Sequence, residues 1–214
     1  MNALHFRRAA LAVSAAAILP LALTACSSDD SKDSASGSRP GAASTPAAPD
    51  GDSLNKDEPF GPGCASVPED GAGSFAGMAK DPVATAASNN PDLATLVTAV
   101  GQAGLADTLN NAQNITVFAP TNEAFAKIPK ADLDKLLADK AALTKVLTYH
   151  VVGQKLTPEQ LEKGTFDTLA KSTLTASGSG ATYTVNDSSK VVCGGVPTAN
   201  ATVYIVDTVL MPPK

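Results

Sequence analysis

Histidine, cysteine and aromatic residues are all scarce in this chain, and each shortage removes a class of function. Two histidines occur in 214 residues, His5 and His150, too few for a histidine metal cluster. Aromatic residues make up 4%, and no basic run interleaves with them, which speaks against a nucleic acid partner. Positive charge is also short, with 16 Lys+Arg against 21 Asp+Glu. No apolar run reaches the roughly 20 residues of a membrane-spanning helix. No G-x-S-x-G nucleophile elbow is present. The glycine-rich run from Ser177 to Ala181 lies between strand signals, which makes it a hairpin turn and not a phosphate cradle. No internal repeat is visible. No cofactor, no metal and no catalysis are therefore expected.

What is there begins at the N-terminus. Arg7 and Arg8 precede an apolar stretch, Ala9 to Leu23, broken only by Ser14 and Pro20. A charged start and an apolar run of that length form a secretory signal. Leu23-Thr24-Ala25-Cys26 then resembles the lipobox of bacterial lipoprotein signal peptides. The resemblance implies cleavage after residue 25, a diacylglycerol thioether on Cys26 and acylation of the new amino terminus. Several acyl chains hold a protein stably on a membrane where a single chain does not. Loss of residues 1–25 removes two of the 16 basic residues and no acid, leaving 14 against 21, a net −7. That sign opposes binding to anionic headgroups, so the membrane contact rests on the lipid. With Cys26 lipidated, Cys64 and Cys193 remain, in a compartment where disulfides persist; one Cys64–Cys193 disulfide is expected, the alternative being two separate free thiols. Glycines beside them (Gly63, Gly194 and Gly195) would let the backbones bend to meet. Two cysteines alone are too few for a structural zinc site.

Residues 26–60 form a lipidated, disordered linker in this reading. The segment holds almost no large apolar residue and cannot offset the entropy of ordering. A flexible coil of about 34 residues reaches roughly 30 Å. Thr45, in "ASTPAAP", is the candidate O-glycosylation acceptor. Residues 61–214 have the composition of one domain. Leu93, Leu96, Val97 and Val100 share a helical face after Pro91, and a second amphipathic piece follows Gly104. "ADLDKLLADKAALTKVLTYHVV" predicts one or two helices, with Leu133, Leu136, Leu137, Leu143, Val146 and Leu147 facing inward. "TPEQLEKG" predicts a short helix capped by Thr157, with Gln160 closing a capping box and Gly164 ending it. Strand signals lie at Ile115–Ala119 and in "KSTLTA", "ATYTVN" and "ATVYIVDTVL". Helices first and strands later give an α+β class.

Three ordered motifs then stand out. "TVFAPTNEAF" (Thr116–Phe125) and "NATVYIVDTVLMPP" (Asn200–Pro213) look like the two signature segments, H1 and H2, of the fasciclin domain family. "YHVV" (Tyr149–Val152) between them is similar to the family's tyrosine–histidine motif. The resemblance covers about residues 75–213. It implies a single β-sandwich-like wedge with helices packed on one side. Lipobox, tether and fasciclin domain together resemble actinobacterial fasciclin surface lipoproteins, some relatives of which are simply secreted. Ala201 and Tyr204 depart from the Gly and His often found in H2. In eukaryotic members, residues near the Tyr-His motif and an Asp of H2 are implicated in adhesion, which raises Tyr149, His150, Val206 and Asp207 as interaction candidates.

The residues themselves give a blander alternative. His150 ends an apolar helical pattern and reads as a core histidine bonded to backbone, ahead of a general base. Asp207 is either a solvated edge residue or a partner for Thr121 or His150. Asn114, Asn186 and Asn200 open N-glycosylation sequons, but a bacterial lipobox makes them ordinary turn and strand residues. The expected protein is a monomeric, lipid-anchored cell-surface module for adhesion or protein interaction with matrix, host or cell-wall components. A soluble form released to the medium fits the same sequence. The alternative is a module that binds a small molecule or lipid. An apolar pocket with few polar groups would favour that alternative, and a flat exposed apolar patch would favour adhesion.

Overall fold

The computed structural model describes residues 58–213. The expected signal peptide and linker up to residue 57, with Cys26 and Thr45, lie outside the described residues. Eight α-helices and seven strands occur among those described. Helices α1 (Phe75–Met78), α2 (Val83–Ser88), α3 (Ala94–Ala103) and α4 (Ala106–Asn111) come first. Strand β1 (Ile115–Pro120) follows, then α5 (Asn122–Ala126), α6 (Lys130–Ala138), α7 (Lys140–Tyr149) and β2 (Val151–Val152). The rest is α8 (Pro158–Leu161), β3 (Lys163–Asp167), β4 (Thr173–Ser179), β5 (Thr182–Val185), β6 (Ser189–Pro197) and β7 (Ala201–Val206).

The sheet order is β2-β1-β7-β6-β5-β4-β3. Only β1 and β7 run parallel, in register from Ile115↔Ala201 to Pro120↔Val206. The sheet curls until its far ends meet: Val152 bridges Thr168, and Leu169 N–H donates to Val151 O at 2.8 Å. This near-barrel has two apolar sides. Alternate residues of one strand point to opposite faces, so Val117, Val203 and Ile205 meet the helices while Phe118, Tyr204 and Val206 fill the barrel. Both faces are covered, which is why β1 and β7 read as continuous apolar runs with every residue buried. The α+β class and the wedge with helices on one side are as expected.

Local sequence accounts for several helix ends. Asp139 accepts from Ala141 and Ala142 N–H, both at 3.0 Å, to start α7, and Leu143, Val146 and Leu147 bury its inner face. Gly104 ends α3 in the left-handed conformation, φ 71°. Thr157 caps α8, and its N–H donates to Gln160 Oε1 at 2.9 Å. Gly164 does not end that helix. It lies in β3 opposite Ala176, where a Cβ would run into the Phe166 ring. Leu133, Leu136 and Leu137 of α6 are half-buried, because α6 packs at the rim of the core.

The domain begins before Gly61. Phe60, read from sequence as linker, is 6% exposed and pairs with Gly194 through two backbone hydrogen bonds. Its ring stands edge-on to Tyr183 and Tyr204. Gly194 is needed for this contact, since a Cβ there would collide with the Phe60 ring. Cys64 and Cys193 are disulfide-bonded across 129 residues of chain. Gly63 and Gly194 serve that junction by making room, and Gly195 alone of the three has a positive φ, 70°.

Candidate functional site

The Tyr-His motif sits where α7 stops. His150 is 2% exposed. Its Nδ1 lies 2.9 Å from Val146 O, one turn back, and its Nε2 lies 2.9 Å from Leu210 N. The carbonyl can only accept, so Nδ1 carries the proton; Nε2 is then the acceptor for the Leu210 N–H. His150 O in turn accepts from Phe118 N–H at 2.9 Å. One residue thus joins α7, β1 and the segment after β7. Burial pushes the imidazole down to about 4, with the Val146 carbonyl pulling weakly the other way. Both nitrogens are used by backbone, which leaves neither to take a proton from a hydroxyl. Tyr149 is equally committed. Its hydroxyl donates to Thr173 O at 2.8 Å and accepts from Asn186 Nδ2 at 2.9 Å.

The four interaction candidates therefore separate. Tyr149, His150 and Val206 are buried, and a partner cannot touch them without opening the core. Asp207 is partly exposed, and its carboxylate is hydrogen-bonded elsewhere than to Thr121 or His150. Its carboxylate accepts from Lys190 N–H at 2.8 Å and Thr208 Oγ1 at 2.9 Å, and meets Lys127 Nζ at 3.2 Å. Burial raises this carboxyl, but the Lys190 amide, Thr208 and Lys127 together outweigh it and hold it below its ordinary value.

Three asparagines do more than their sequence context suggests. Asn200 is 8% exposed; its Oδ1 accepts from Val83 N–H, and its Nδ2 donates to Leu109, Asn110 and Ala112 carbonyls. It fastens the start of α2 and the end of α4 to the sheet. Asn122 caps not its own helix, which Thr121 does, but α3: it accepts from Thr95 N–H at 2.9 Å and donates to Pro91 O at 2.8 Å. Asn90 accepts from Asp92 N–H at 2.9 Å, and its Nδ2 is buried without a hydrogen-bond partner among the described residues. The Asn-Pro pair at 90–91 is a cap signal visible in sequence; the other two roles are non-local and leave none.

A cavity of about 280 Å³ separates α2, α3 and α4 from the helix-facing side of β1 and β7. Met78, Val83, Leu93, Leu96, Val100 and Ile205 supply much of its wall, and Asn90 lines it too. No Lys, Arg, Asp or Glu lines it. Outside, Leu169 and Met211 are the only large apolar side chains exposed among the described residues.

A signature strand β1, a Tyr-His corner latched to it and a second signature strand β7 in parallel register make one connected unit. Over residues 91–212 the sequence matches the fasciclin domain profile. The chain belongs to the fasciclin domain family. The cell surface glycolipoprotein MPT83 of Mycobacterium tuberculosis is 46% identical over 215 aligned residues, 95% of this chain and 96% of the relative. The immunogenic protein MPB70 of Mycobacterium bovis is 49% identical over 72% of this chain and 82% of its own. A solved FAS1 domain pair from the insect cell adhesion molecule fasciclin I superposes with a TM-score of 0.52 at 18% identity. It covers 63% of this chain and 52% of that one, and shows a shared fold. In this fasciclin domain the signature segments are packing devices. Thr116 shows it within H1: its hydroxyl donates to Gln154 O and accepts from Leu156 N–H, both at 2.8 Å.

Proposed function

We propose that the protein is a cell-surface lipoprotein, held by acyl chains on Cys26, whose fasciclin domain engages extracellular or cell-wall proteins and takes part in adhesion. The observation that carries this reading is the extent of the likeness to the mycobacterial cell surface glycolipoproteins. It runs over 95% of this chain, beyond the fasciclin domain itself. The lipobox at Leu23–Cys26 supports the anchor, and the FAS1 fold shared with an insect adhesion molecule is consistent with adhesion. Non-enzymatic action fits a domain whose one histidine has both nitrogens tied to backbone.

The contact surface in this reading excludes Tyr149, His150 and Val206 and uses polar side chains at the surface, the partly exposed Asp207 among the candidates. Cells displaying the full chain should adhere better to surfaces coated with matrix or cell-wall proteins than cells lacking it. Soluble Cys26→Ser chain should compete. Equal adhesion of the two cell lines on every surface would end the adhesive reading. A second reading, a surface module for a small apolar ligand, is supported by the cavity behind β1 and β7.

A further inference from the structure

A second pocket, of about 160 Å³, opens at the surface where β1 and β7 begin. It is lined by Gln113 and Asn114 ahead of β1, by Lys155 after β2, and by the β6–β7 turn with Thr202. It shares only Thr198 with the apolar cavity.

The backbone around it is held firmly. Thr198 closes the turn, its N–H and its hydroxyl both donating to Ala201 O. Asn200 ties the turn to α2 and α4, and Ala199 N–H donates to Asp81 O at 2.9 Å. The Thr116 hydroxyl bonds Gln154 O and Leu156 N, the residues on either side of Lys155, and so fixes the backbone that carries this lysine. Asn114 stands at φ 55°, a left-handed conformation that asparagine adopts more readily than most residues.

On that fixed frame four polar side chains have no hydrogen-bond partner among the described residues: Gln113, Asn114, Lys155 and Thr202. The first three are exposed, and Thr202 keeps 8% of its surface. Two amides and a hydroxyl offer donors and acceptors side by side, which is what sugar hydroxyls need. The ammonium adds a positive charge, and no Asp or Glu lines the pocket to neutralise it or to repel an anion. A cavity of about 150 Å³ accepts benzene, so one six-membered ring fits. We infer that the pocket binds one acidic sugar unit, a pyranose carrying a carboxylate, with the carboxylate on Lys155 Nζ and ring hydroxyls on Gln113, Asn114 and Thr202. A shallow site with one exposed cation holds a single unit weakly, in the millimolar range. Many copies on one cell facing a polymer of such units would hold far better through multivalency. This site needs neither a protein partner nor an apolar ligand, so it stands or falls apart from both readings above.

The test titrates the full chain carrying Cys26→Ser with glucuronate, glucose and acetate while amide resonances are followed by two-dimensional NMR. Glucuronate should saturably shift the Gln113 and Asn114 side-chain amides and the Lys155 and Thr202 backbone amides. It should bind about tenfold tighter than glucose or acetate. Lys155→Met keeps the length of an exposed, unbonded side chain, leaves the fold intact, and should bring glucuronate down to the level of glucose. Asn114→Gly keeps the left-handed backbone and should weaken glucuronate and glucose alike. Acetate bound as tightly as glucuronate would overturn the sugar assignment. Glucose bound as tightly, or unchanged glucuronate binding in Lys155→Met, would overturn the carboxylate assignment. No saturable shift at these residues with any of the three would overturn the site.

Discussion

His150 stays neutral in the folded chain because burial disfavours the charged ring and the core offers it one acceptor and one donor, both backbone. In the unfolded chain it titrates near its ordinary 6.5, and in the folded chain near 4. Below about pH 6.5 the unfolded state binds the extra proton, so stability falls as pH drops, until the folded form also protonates near pH 4. The full window corresponds to about 3 kcal/mol. Denaturant melts between pH 7 and pH 4 should show this slope, and His150→Gln should remove most of it; an unchanged slope would mean another group titrates there. Asp207 adds to the acid side, since its depressed carboxyl stabilises the fold above the ordinary carboxylate range and loses that effect as pH falls through its folded value. Asn200 is the other residue with much at stake. Asn200→Ala strips an acceptor from Val83 N–H and a donor from three carbonyls. It should cost at least about 2 kcal/mol by thermal or chemical melting, where a surface Asn→Ala change would cost under about 0.5.

At the scale of elements, strands rich in β-branched and aromatic residues are legible in the sequence and the sheet's weaker members are not. β1, β4, β5 and β7 follow from runs of Val, Ile, Thr and Tyr. β3 is short, carries Lys163 and Asp167 and contains Gly164, so its sequence reads as the tail of a helix. β6 contains two glycines and two register shifts, which break the alternation that marks a strand. β2 has two residues and exists only because β1 pairs with it. The Tyr-His corner could be read as core from its apolar neighbours, but not its link to Leu210, sixty residues away. Asn200 and Asn122 act across the fold, and no local pattern announces that. Phe60 reads as linker because it stands between Pro59 and Gly61-Pro62-Gly63, turn formers that carry no helix or strand period. Phe60→Ala should cost about 3–5 kcal/mol, since it removes a buried ring and its contacts with Tyr183 and Tyr204. A chain starting at Gly61 should show a similar fall in melting temperature relative to one starting before Glu58. The disulfide at the same junction closes a long loop, worth up to about 5 kcal/mol in the chain-entropy picture.

At the scale of the whole molecule the proposed work divides among a lipid, a tether and a domain. In that proposal the tether would set how far and how often the domain meets a partner, and the domain how tightly it holds. All of it depends on Cys26. The most direct measurement is to express the wild type and Cys26→Ser in a lipoprotein-processing bacterium with labelled fatty acid, then follow label, membrane fraction and surface accessibility. The account predicts label and membrane association for the wild type alone, with its domain reachable from outside the cell. Cys26→Ser should be unlabelled and either released or left with an uncut signal. Equal labelling of the two, or a wild-type protein recovered unlabelled from the cytoplasm, would contradict it.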